Sequence, residues 1–247
     1  MNIEIIYFGL ILSLVIVQSI VGVGVLVLGT PIMLLLNFSL IDTIGLLLPV
    51  SIITSFLNLI ISKLKKKNFF YNLDRLKYFF TICIPSVFIG LLILKLQNNN
   101  INFDYLVAGL IIITVALRSK INHFFKNLSK KLTKITLVVI GIIHGMTNSG
   151  GTLLSILLIN MNKSKMNSRN EITLFYFFLA LVQFIMFLFL FDYTLIFNQI
   201  YLIIFLILIG VLIGNVLIKI TKNNIYREII YFIALVSSIS LIIKNII

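Results

Sequence analysis

The polar residues with the clearest potential for chemistry interrupt a hydrophobic stretch in the second half of the chain. The stretch reads IGIIHGMTNSGGTLLSILLIN from Ile140 to Asn160, and its candidate binding residues are His144, Thr147, Asn148, Ser149, Gly150, Gly151 and Thr152. Polar residues and a weakened helix are costly in a bilayer unless the backbone there lines a cavity inside the protein. A helix that restarts after such a break presents backbone N–H groups and the positive end of its dipole, which together bind anions. The pattern therefore predicts a site for a small anion.

A weaker interruption of the same kind lies near the start of the chain. It reads QSIVGVGVLVLGTPIML, and its candidate binding residues are Gln18, Ser19, Gly22 and Gly24. A shift of 126 residues pairs Gln18 with His144 and Gly22 with Asn148. Interruptions at corresponding positions in two halves of a membrane protein are the best sequence indication of a transporter's binding site.

His144 is the only ionisable residue predicted deep in the second half, and two roles remain open for it. It accepts a coupling proton or donates to an anion, or it is neutral and bonded to a carbonyl that the break frees. An intramembrane serine hydrolase would use Ser149 as nucleophile and His144 as base. Their five-residue spacing crosses the break, so this reading is the least favoured. Because Cys83 is isolated and His123 lies in a basic linker, no metal site, catalytic residue or cofactor is expected.

The glycines and the remaining polar residues also have a structural interpretation, because small residues let helices pack closely in membranes. Packing is favoured for Gly210 and Gly214, whereas the polar neighbours of Gly150 and Gly151 favour a site. Another polar set recurs at helical spacing and either lines a transport path or forms interhelical hydrogen bonds: Ser51, Thr54, Ser55 and Asn58. Gln183 and Asn215 are single polar residues in later hydrophobic segments and are open to the same two readings.

Composition places the chain in a membrane. Hydrophobic residues make up 60% of the 247 residues, charged residues only 11%, and the mean hydropathy is +1.17. A soluble chain of this length could not bury so much apolar surface. The net charge of +13 does not indicate nucleic-acid binding, because the Lys and Arg residues concentrate in short loops between apolar runs. Membrane proteins use such loops to fix their orientation.

Eight hydrophobic segments follow from the rule that a span needs roughly 20 apolar residues. They are Ile3–Leu36, Leu40–Ser62, Leu76–Leu96, Phe103–Leu117, Ile135–Ile159, Ile172–Phe191, Ile200–Ile220 and Ile229–Ile243. They form a first membrane repeat at residues 1–117 and a second at residues 135–247. A basic cytoplasmic linker, residues 118–134, lies between the repeats and has the pattern of an amphipathic helix on the membrane surface. That helix orients the protein or binds anionic lipid.

The basic loops indicate how the segments cross the membrane. If all eight segments simply crossed, the second half would violate the rule that basic loops stay in the cytoplasm. The conflict disappears if the fifth segment enters from the cytoplasm, turns between His144 and Gly151, and returns, since half-helices of about 12 residues are too short to span. The first segment is then the mirror hairpin, or a full span plus a half. The sequence thus predicts an all-α polytopic membrane protein with two inverted repeats, each opening with a broken or re-entrant helix.

In these residues the chain resembles the sulfite exporter TauE/SafE family of membrane permeases. The matching motifs are GVGVLVLGTP, from Gly22 to Pro31, and GMTNSGGTLL, from Gly145 to Leu154, within a duplicated layout. The chain departs from the family at Val25, where members often continue the glycine run, and at Thr152, where a Pro often stands. The resemblance implies transport of sulfite, sulfonates or related sulfur-containing anions across the inner membrane.

The expected function is a secondary permease for a small anion in the bacterial inner membrane, working by alternating access. The sequence carries no Walker-type nucleotide motif, so an ion gradient or the substrate's own gradient would drive transport. The expected partners are the anionic substrate and the lipid bilayer, without nucleic acid, and a homo-oligomer is left open. The alternatives are a channel-like or accessory membrane protein without coupled transport and, least favoured, the hydrolase.

Overall fold

The regular structure of the chain is helical throughout its described part. The computed structural model describes residues 3–64, 73–96, 130–161, 164–191 and 200–244, together with isolated positions between 105 and 116. Nine helices lie in the five continuous ranges: α1 Ile3–Val21, α2 Val25–Leu35, α3 Leu40–Leu64, α4 Leu73–Leu96, α5 Lys130–Thr147, α6 Gly150–Met161, α7 Lys165–Phe191, α8 Ile200–Ile220 and α9 Asn223–Lys244. Four of them, α3, α4, α7 and α8, are long and apolar enough to cross a membrane. The predicted all-α polytopic membrane fold is confirmed.

The predicted segment bounds agree with the helices in most places. The fourth predicted segment, Phe103–Leu117, and most of the predicted linker fall outside the described residues. α5 begins at Lys130, inside the predicted linker and five positions before residue 135. The difference has a simple cause, because lysines at a helix end extend their charged groups towards the polar boundary while the helix continues. The division into repeats at residues 1–117 and 135–247 stays a prediction.

Both predicted breaks are present as interruptions of the helical backbone. α1 ends at Val21 and α2 begins at Val25, while α5 ends at Thr147 and α6 begins at Gly150. Gly22 has φ +97° and Asn148 has φ +60°, and these are two positions that the shift of 126 residues pairs. Glycine adopts the left-handed region without a steric penalty, and asparagine tolerates it better than most residues. The register inferred from sequence thus coincides with the backbone turn in both halves.

Helices of both halves meet at one end of the molecule, which we call the basic end. Arg75, near the start of α4, forms an ion pair with Glu171, near the start of α7, at 3.1 Å. Lys165 Nζ, at the start of α7, donates to Ile218 O near the end of α8 at 2.9 Å. The Lys165 amide donates to Asn223 Oδ1 at the start of α9 at 3.2 Å. The basic end therefore holds the starts of α4, α7 and α9 and the end of α8.

The second hairpin, α5–α6, enters from the basic end and returns to it. Lys134, in the second turn of α5, places its ammonium 4.9 Å from the ring centroid of Tyr78, near the start of α4. Ile159 O, near the end of α6, accepts from Arg227 Nη2 of α9 at 2.8 Å. α5 has 18 residues and α6 has 12, so the hairpin has one long arm and one short arm.

The first hairpin, α1–α2, has the opposite direction. Val15 and Ser19 of α1 lie against Gly210 and Gly214 of α8, so α1 runs parallel to α8 towards the basic end. α2 then runs back beside α9, because Tyr226 OH donates to Val21 O and, further along, Ser237 Oγ donates to Val27 O, both at 2.9 Å. The first segment is therefore a hairpin, and the helices of the two halves run in opposite directions.

Close helix crossings fix the hairpins against the rest of the bundle. Gly90 of α4 lies against the Ile142 carbonyl of α5, and Gly145 of α5 lies against the Val87 carbonyl of α4. The packing predicted for Gly210 and Gly214 is found at the crossing of α1 and α8. Small residues allow such backbone contact, which is the main source of attraction between helices in lipid.

Candidate functional site

The two breaks are brought together inside the molecule. Asn148 Nδ2 in the second break donates to Thr30 Oγ1 of α2 at 3.0 Å. The side chain of Val23 in the first break lies against Gly151 of α6. α7 closes this group, since Gln183 Nε2 donates to Asn148 Oδ1 at 2.7 Å. Residues predicted from opposite halves of the sequence therefore surround one buried region.

The hydroxyl groups before the second break are used locally. Thr147 Oγ1 donates to Ile143 O at 2.9 Å and accepts from the Ser149 amide at 3.3 Å, which satisfies groups at the end of α5. Ser149 Oγ donates to Thr147 O at 3.3 Å, and not to the ring of His144. The contact that an activated serine nucleophile needs is therefore missing from the described residues. Within them, no group of three or more His, Cys, Asp or Glu side chains is placed to hold a metal ion.

The two glycines of the second break permit close contact on two sides of α6. Gly150 lies against the backbone of α5, where an added Cβ would stand 2.8 Å from the His144 amide nitrogen. Gly151 lies against the ring of Tyr176 in α7 and the side chain of Val23. As the first residues of α6, both have N–H groups without an acceptor inside the helix. No side chain of the described residues accepts from either amide.

The first break is closed by its own polar side chain. Gln18 Oε1 accepts from the Val25 amide, the first of α2, at 2.9 Å. Gln18 Nε2 donates to Ser51 O and to Ser55 Oγ of α3, both at 2.9 Å. Gly24 allows this arrangement, since an added Cβ would stand 2.9 Å from the Gln18 amide nitrogen. The side-chain oxygen of Gln18 thus occupies the position that an anion would have at the start of α2.

Two predicted site residues of the first half face the beginning of α7 instead. Ser19 Oγ accepts from Asn58 Nδ2 at 3.0 Å, and Ser19 O accepts from Arg169 Nε at 2.8 Å. Gly22 lies against the Arg169 carbonyl and the hydroxyl of Thr173. The first break therefore borders two polar regions, one shared with the second break and one around Arg169.

Several buried polar atoms near the second break lack a hydrogen-bond partner among the described residues. They are both ring nitrogens of His144, Thr152 Oγ1, Tyr176 OH and Gln183 Oε1, all on side chains no more than 1% exposed. An unpaired buried polar atom costs about 1–3 kcal/mol, so native proteins hold few of them. Within the described residues, several such atoms are concentrated around the second break.

The unpaired groups are held by neighbouring helices. The rings of His144 and Tyr176 meet edge to face, with their centroids 5.9 Å apart. The ring of Tyr176 and the side chain of Val23, which precedes α2, both lie against Gly151 at the start of α6. The amide ends of both short helices, α2 and α6, therefore border the same buried region.

The sequence patterns did not point to Tyr176, beside the second break, or to Arg169, in the other polar region. Tyr176 lies in an apolar run with several aromatic residues, and nothing in the pattern distinguishes it from a lipid-facing ring. Arg169 follows Lys163 and Lys165, and its charge indicated a solvated loop, whereas its side chain is 1% exposed. The available signal was the polar run SRNEIT from Ser168 to Thr173 at the start of a long hydrophobic segment, since polar residues in spans mark functional positions.

Comparison with known proteins agrees with this architecture. Neither the curated proteins nor the solved structures gave a significant match to the chain. The model of the family described as Sulfite exporter TauE/SafE matches residues 6–241, a range that includes both broken helices and the helices that follow them. The chain therefore belongs to the sulfite exporter TauE/SafE family of membrane transporters.

Proposed function

We propose that the protein is a secondary permease for a small anion, such as sulfite or a sulfonate, in the bacterial inner membrane. The observation that carries this proposal is the group of unpaired polar atoms beside the second break: His144, Thr152, Tyr176 and Gln183. These atoms adjoin the amides of Gly150 and Gly151 at the start of α6, where backbone dipoles favour negative charge.

The proposed site binds by neutral donors and backbone dipoles. Thr152 and Tyr176 supply hydroxyl donors, α6 supplies amides, and His144 supplies an N–H or accepts a proton. Without a full positive charge at the site, the anion is held loosely enough to be released on either side. The first break contributes less directly, because Gln18 already occupies the first amide of α2.

Two hairpins that enter from opposite ends of the bundle support a mechanism of alternating access. The contact between Val23 and Gly151 and the hydrogen bond from Asn148 to Thr30, in the second turn of α2, connect the two hairpins. Rocking of one hairpin and its supporting helices against the other would open the buried region first to one side and then to the other.

Sulfite and sulfonate uptake into proteoliposomes tests the proposal. The wild-type protein should show uptake that saturates with anion concentration, whereas a channel would give flux that rises without saturation. Thr152→Val removes an unpaired hydroxyl at nearly constant volume, so the protein should fold normally. We expect its anion dissociation constant to rise about fivefold, which corresponds to a net hydrogen bond of about 1 kcal/mol.

Thr43→Val provides the matched control. Thr43 Oγ1 is also buried and unpaired among the described residues, but Thr43 lies in the first turn of α3, two turns before Ser51. Its replacement should leave anion affinity unchanged. Equal affinities in Thr152→Val and the wild type would remove Thr152 from the site, and the absence of any anion binding or flux by the wild type would overturn the proposed function.

A further inference from the structure

Arg169, in the first two turns of α7, is a buried cation surrounded by neutral oxygen atoms. Its side chain is 1% exposed. It makes four hydrogen bonds: Nε to Ser19 O at 2.8 Å, Nη1 to Ser62 Oγ at 3.4 Å, and Nη2 to Asn58 Oδ1 at 2.7 Å and to Asn215 Oδ1 at 3.0 Å. No carboxylate in the described ranges forms an ion pair with it, and the nearby Glu171 is paired with Arg75.

A buried guanidinium without a negative partner is unusual. Burying an isolated charge is strongly unfavourable, and amide and carbonyl dipoles offset only part of that cost. A bound anion would supply the missing charge. A guanidinium is also the side chain best suited to an oxyanion, because its planar donors match two oxygen atoms at once.

One N–H group of the guanidinium, on Nη1, is not used by these four hydrogen bonds. The guanidinium has five N–H groups, of which the four bonds to described residues use four, and the bond from Nη1 is the longest. Arg169 also lines a narrow crevice, together with Ile61, Ser62, Met166, Asn215, Ile218 and Lys219. The crevice interior of about 10 Å³ holds about one water molecule, so an oxyanion would enter only as the lining side chains move apart. Lys219 is exposed, so a second positive charge stands on the route from the basic end.

The same arginine is attached to the first break. Ser19 O, which accepts from Arg169 Nε, belongs to the last turn of α1. No backbone N–H of α1 is available to donate to it. The Arg169 carbonyl lies against Gly22, where the backbone turns. An anion that draws the guanidinium towards the crevice therefore weakens the bond that holds the end of α1.

We propose that Arg169, held in place by the side-chain oxygens of Asn58, Ser62 and Asn215, forms a second anion-binding position on the side of the basic end. Its guanidinium would take an oxyanion such as sulfite or a sulfonate as it enters or leaves the site between the breaks. This inference rests on the proposed function. The purely structural alternative is that Arg169 only satisfies the Ser19 carbonyl. The two explanations predict different sulfite affinities for a variant with a negative charge beside the guanidinium.

Asn58→Asp makes that change with almost no change in shape. The carboxylate would lie at the position of Asn58 Oδ1, 2.7 Å from Arg169 Nη2, and would form a buried ion pair. The ion pair should offset the loss of the bonds that Asn58 Nδ2 donates to Ser19 Oγ and Thr54 O, so we expect the variant to fold. Sulfite binding, measured by titration in detergent, should be about tenfold weaker. Wild-type sulfite affinity in a folded Asn58→Asp protein would overturn the second position.

Arg169→Lys and Arg169→Gln complete the test, with Arg227→Gln as the matched control. Arg227 donates to the carbonyl of Ile159 near the end of α6, so its loss removes the same charge and a similar backbone contact. Sulfite affinity should fall about tenfold or more in Arg169→Gln, less in Arg169→Lys, which keeps the charge, and not at all in Arg227→Gln. Equal affinities in all three variants would also overturn the inference.

The outcomes separate this inference from the proposed function. If the wild type binds sulfite and Thr152→Val weakens binding while Asn58→Asp and Arg169→Gln do not, the site between the breaks stands and the second position fails. If Asn58→Asp and Arg169→Gln weaken binding while Thr152→Val does not, the anion binds at Arg169 and not at the second break. If the wild type neither binds nor transports sulfite or sulfonates, both fail.

Discussion

At the residue scale, Gln18 and His144 show how two paired positions have diverged. A shift of 126 residues superimposes them, and each precedes a break. Gln18 Oε1 accepts from the first amide of α2, whereas the ring nitrogens of His144 have no partner among the described residues. The first amide of α2 therefore has a protein acceptor, whereas the polar groups of His144 stay unpaired among the described residues and are the ones that the proposed anion would contact.

This asymmetry predicts the effect of His144→Gln. The new side chain should reach the amide of Gly151, the residue paired with Val25, and take the place of the anion. We expect higher thermal stability without substrate and about a tenfold loss of sulfite affinity. The anion would have to displace the side-chain oxygen of the new glutamine from the Gly151 amide. Thermal unfolding with and without sulfite measures both effects. A stabilised variant with normal sulfite affinity would contradict the assignment of the site to this break.

At this scale the sequence predicted several residues that the structure places around the second break, and it missed others for clear reasons. Asn148, Gly150, Gly151 and Thr152 were recognised because polar and glycine residues are conspicuous in an apolar run. Arg169 was assigned to a surface loop, because a single sequence does not show that the first turns of α7 are enclosed by α1, α3 and α8. The binding roles of all these residues stay predictions until anion binding is measured.

At the element scale, the long arm of the second hairpin depends on its crossing with α4. An added Cβ at Gly145 would meet the Val87 carbonyl, and its next nearest neighbour would be the Leu91 amide nitrogen at 2.9 Å. Backbone atoms cannot move aside as a flexible side chain does. The α5–α6 hairpin therefore reaches its position only if this surface stays small.

Gly145→Leu should separate α5 from α4 and destabilise the protein by about 3 kcal/mol, at the upper end of the usual cost of overpacking. Gly9→Leu is the matched control, because no atom lies within 4 Å of the position where its Cβ would stand. Thermal unfolding in detergent should show a clear decrease for Gly145→Leu and little change for Gly9→Leu. Similar unfolding temperatures for both variants would show that this crossing does not hold the hairpin.

The sequence predicted the order of the helices and the positions of the breaks better than how far each segment crosses the membrane. The breaks and the order of helices followed from hydrophobic lengths and interruptions, and the shift of 126 residues brings Gly22 onto Asn148, both with positive φ. Whether the first segment is a hairpin could not be decided, because α1 has 19 residues and is long enough to approach a full span. Only its contacts with α8, and those of α2 with α9, settle the direction.

At the scale of the whole molecule, charge and topology agree. The helix ends at the basic end carry Lys165, Lys219 and Arg227, whereas the connection between α7 and α8, residues 192–199, has no Lys or Arg. Basic loops remain in the cytoplasm during membrane insertion. The basic end should therefore face the cytoplasm, with the second hairpin entering from that side and the first from the other.

Single-cysteine labelling tests this topology in intact cells and inverted vesicles. Cys83 is buried and is first replaced by Ser, and cysteines are then introduced one at a time at Lys131, Met161, Ile220 and Leu96. Because α5 and α6 form a re-entrant hairpin, the cysteines at Lys131 and Met161 should both react with a membrane-impermeant maleimide only in inverted vesicles, as should the one at Ile220. The cysteine at Leu96, at the far end of α4, should react in intact cells. Labelling of Lys131→Cys and Met161→Cys from opposite sides would mean that the broken helix crosses the membrane, and alternating access between two opposed hairpins would then lose its structural basis.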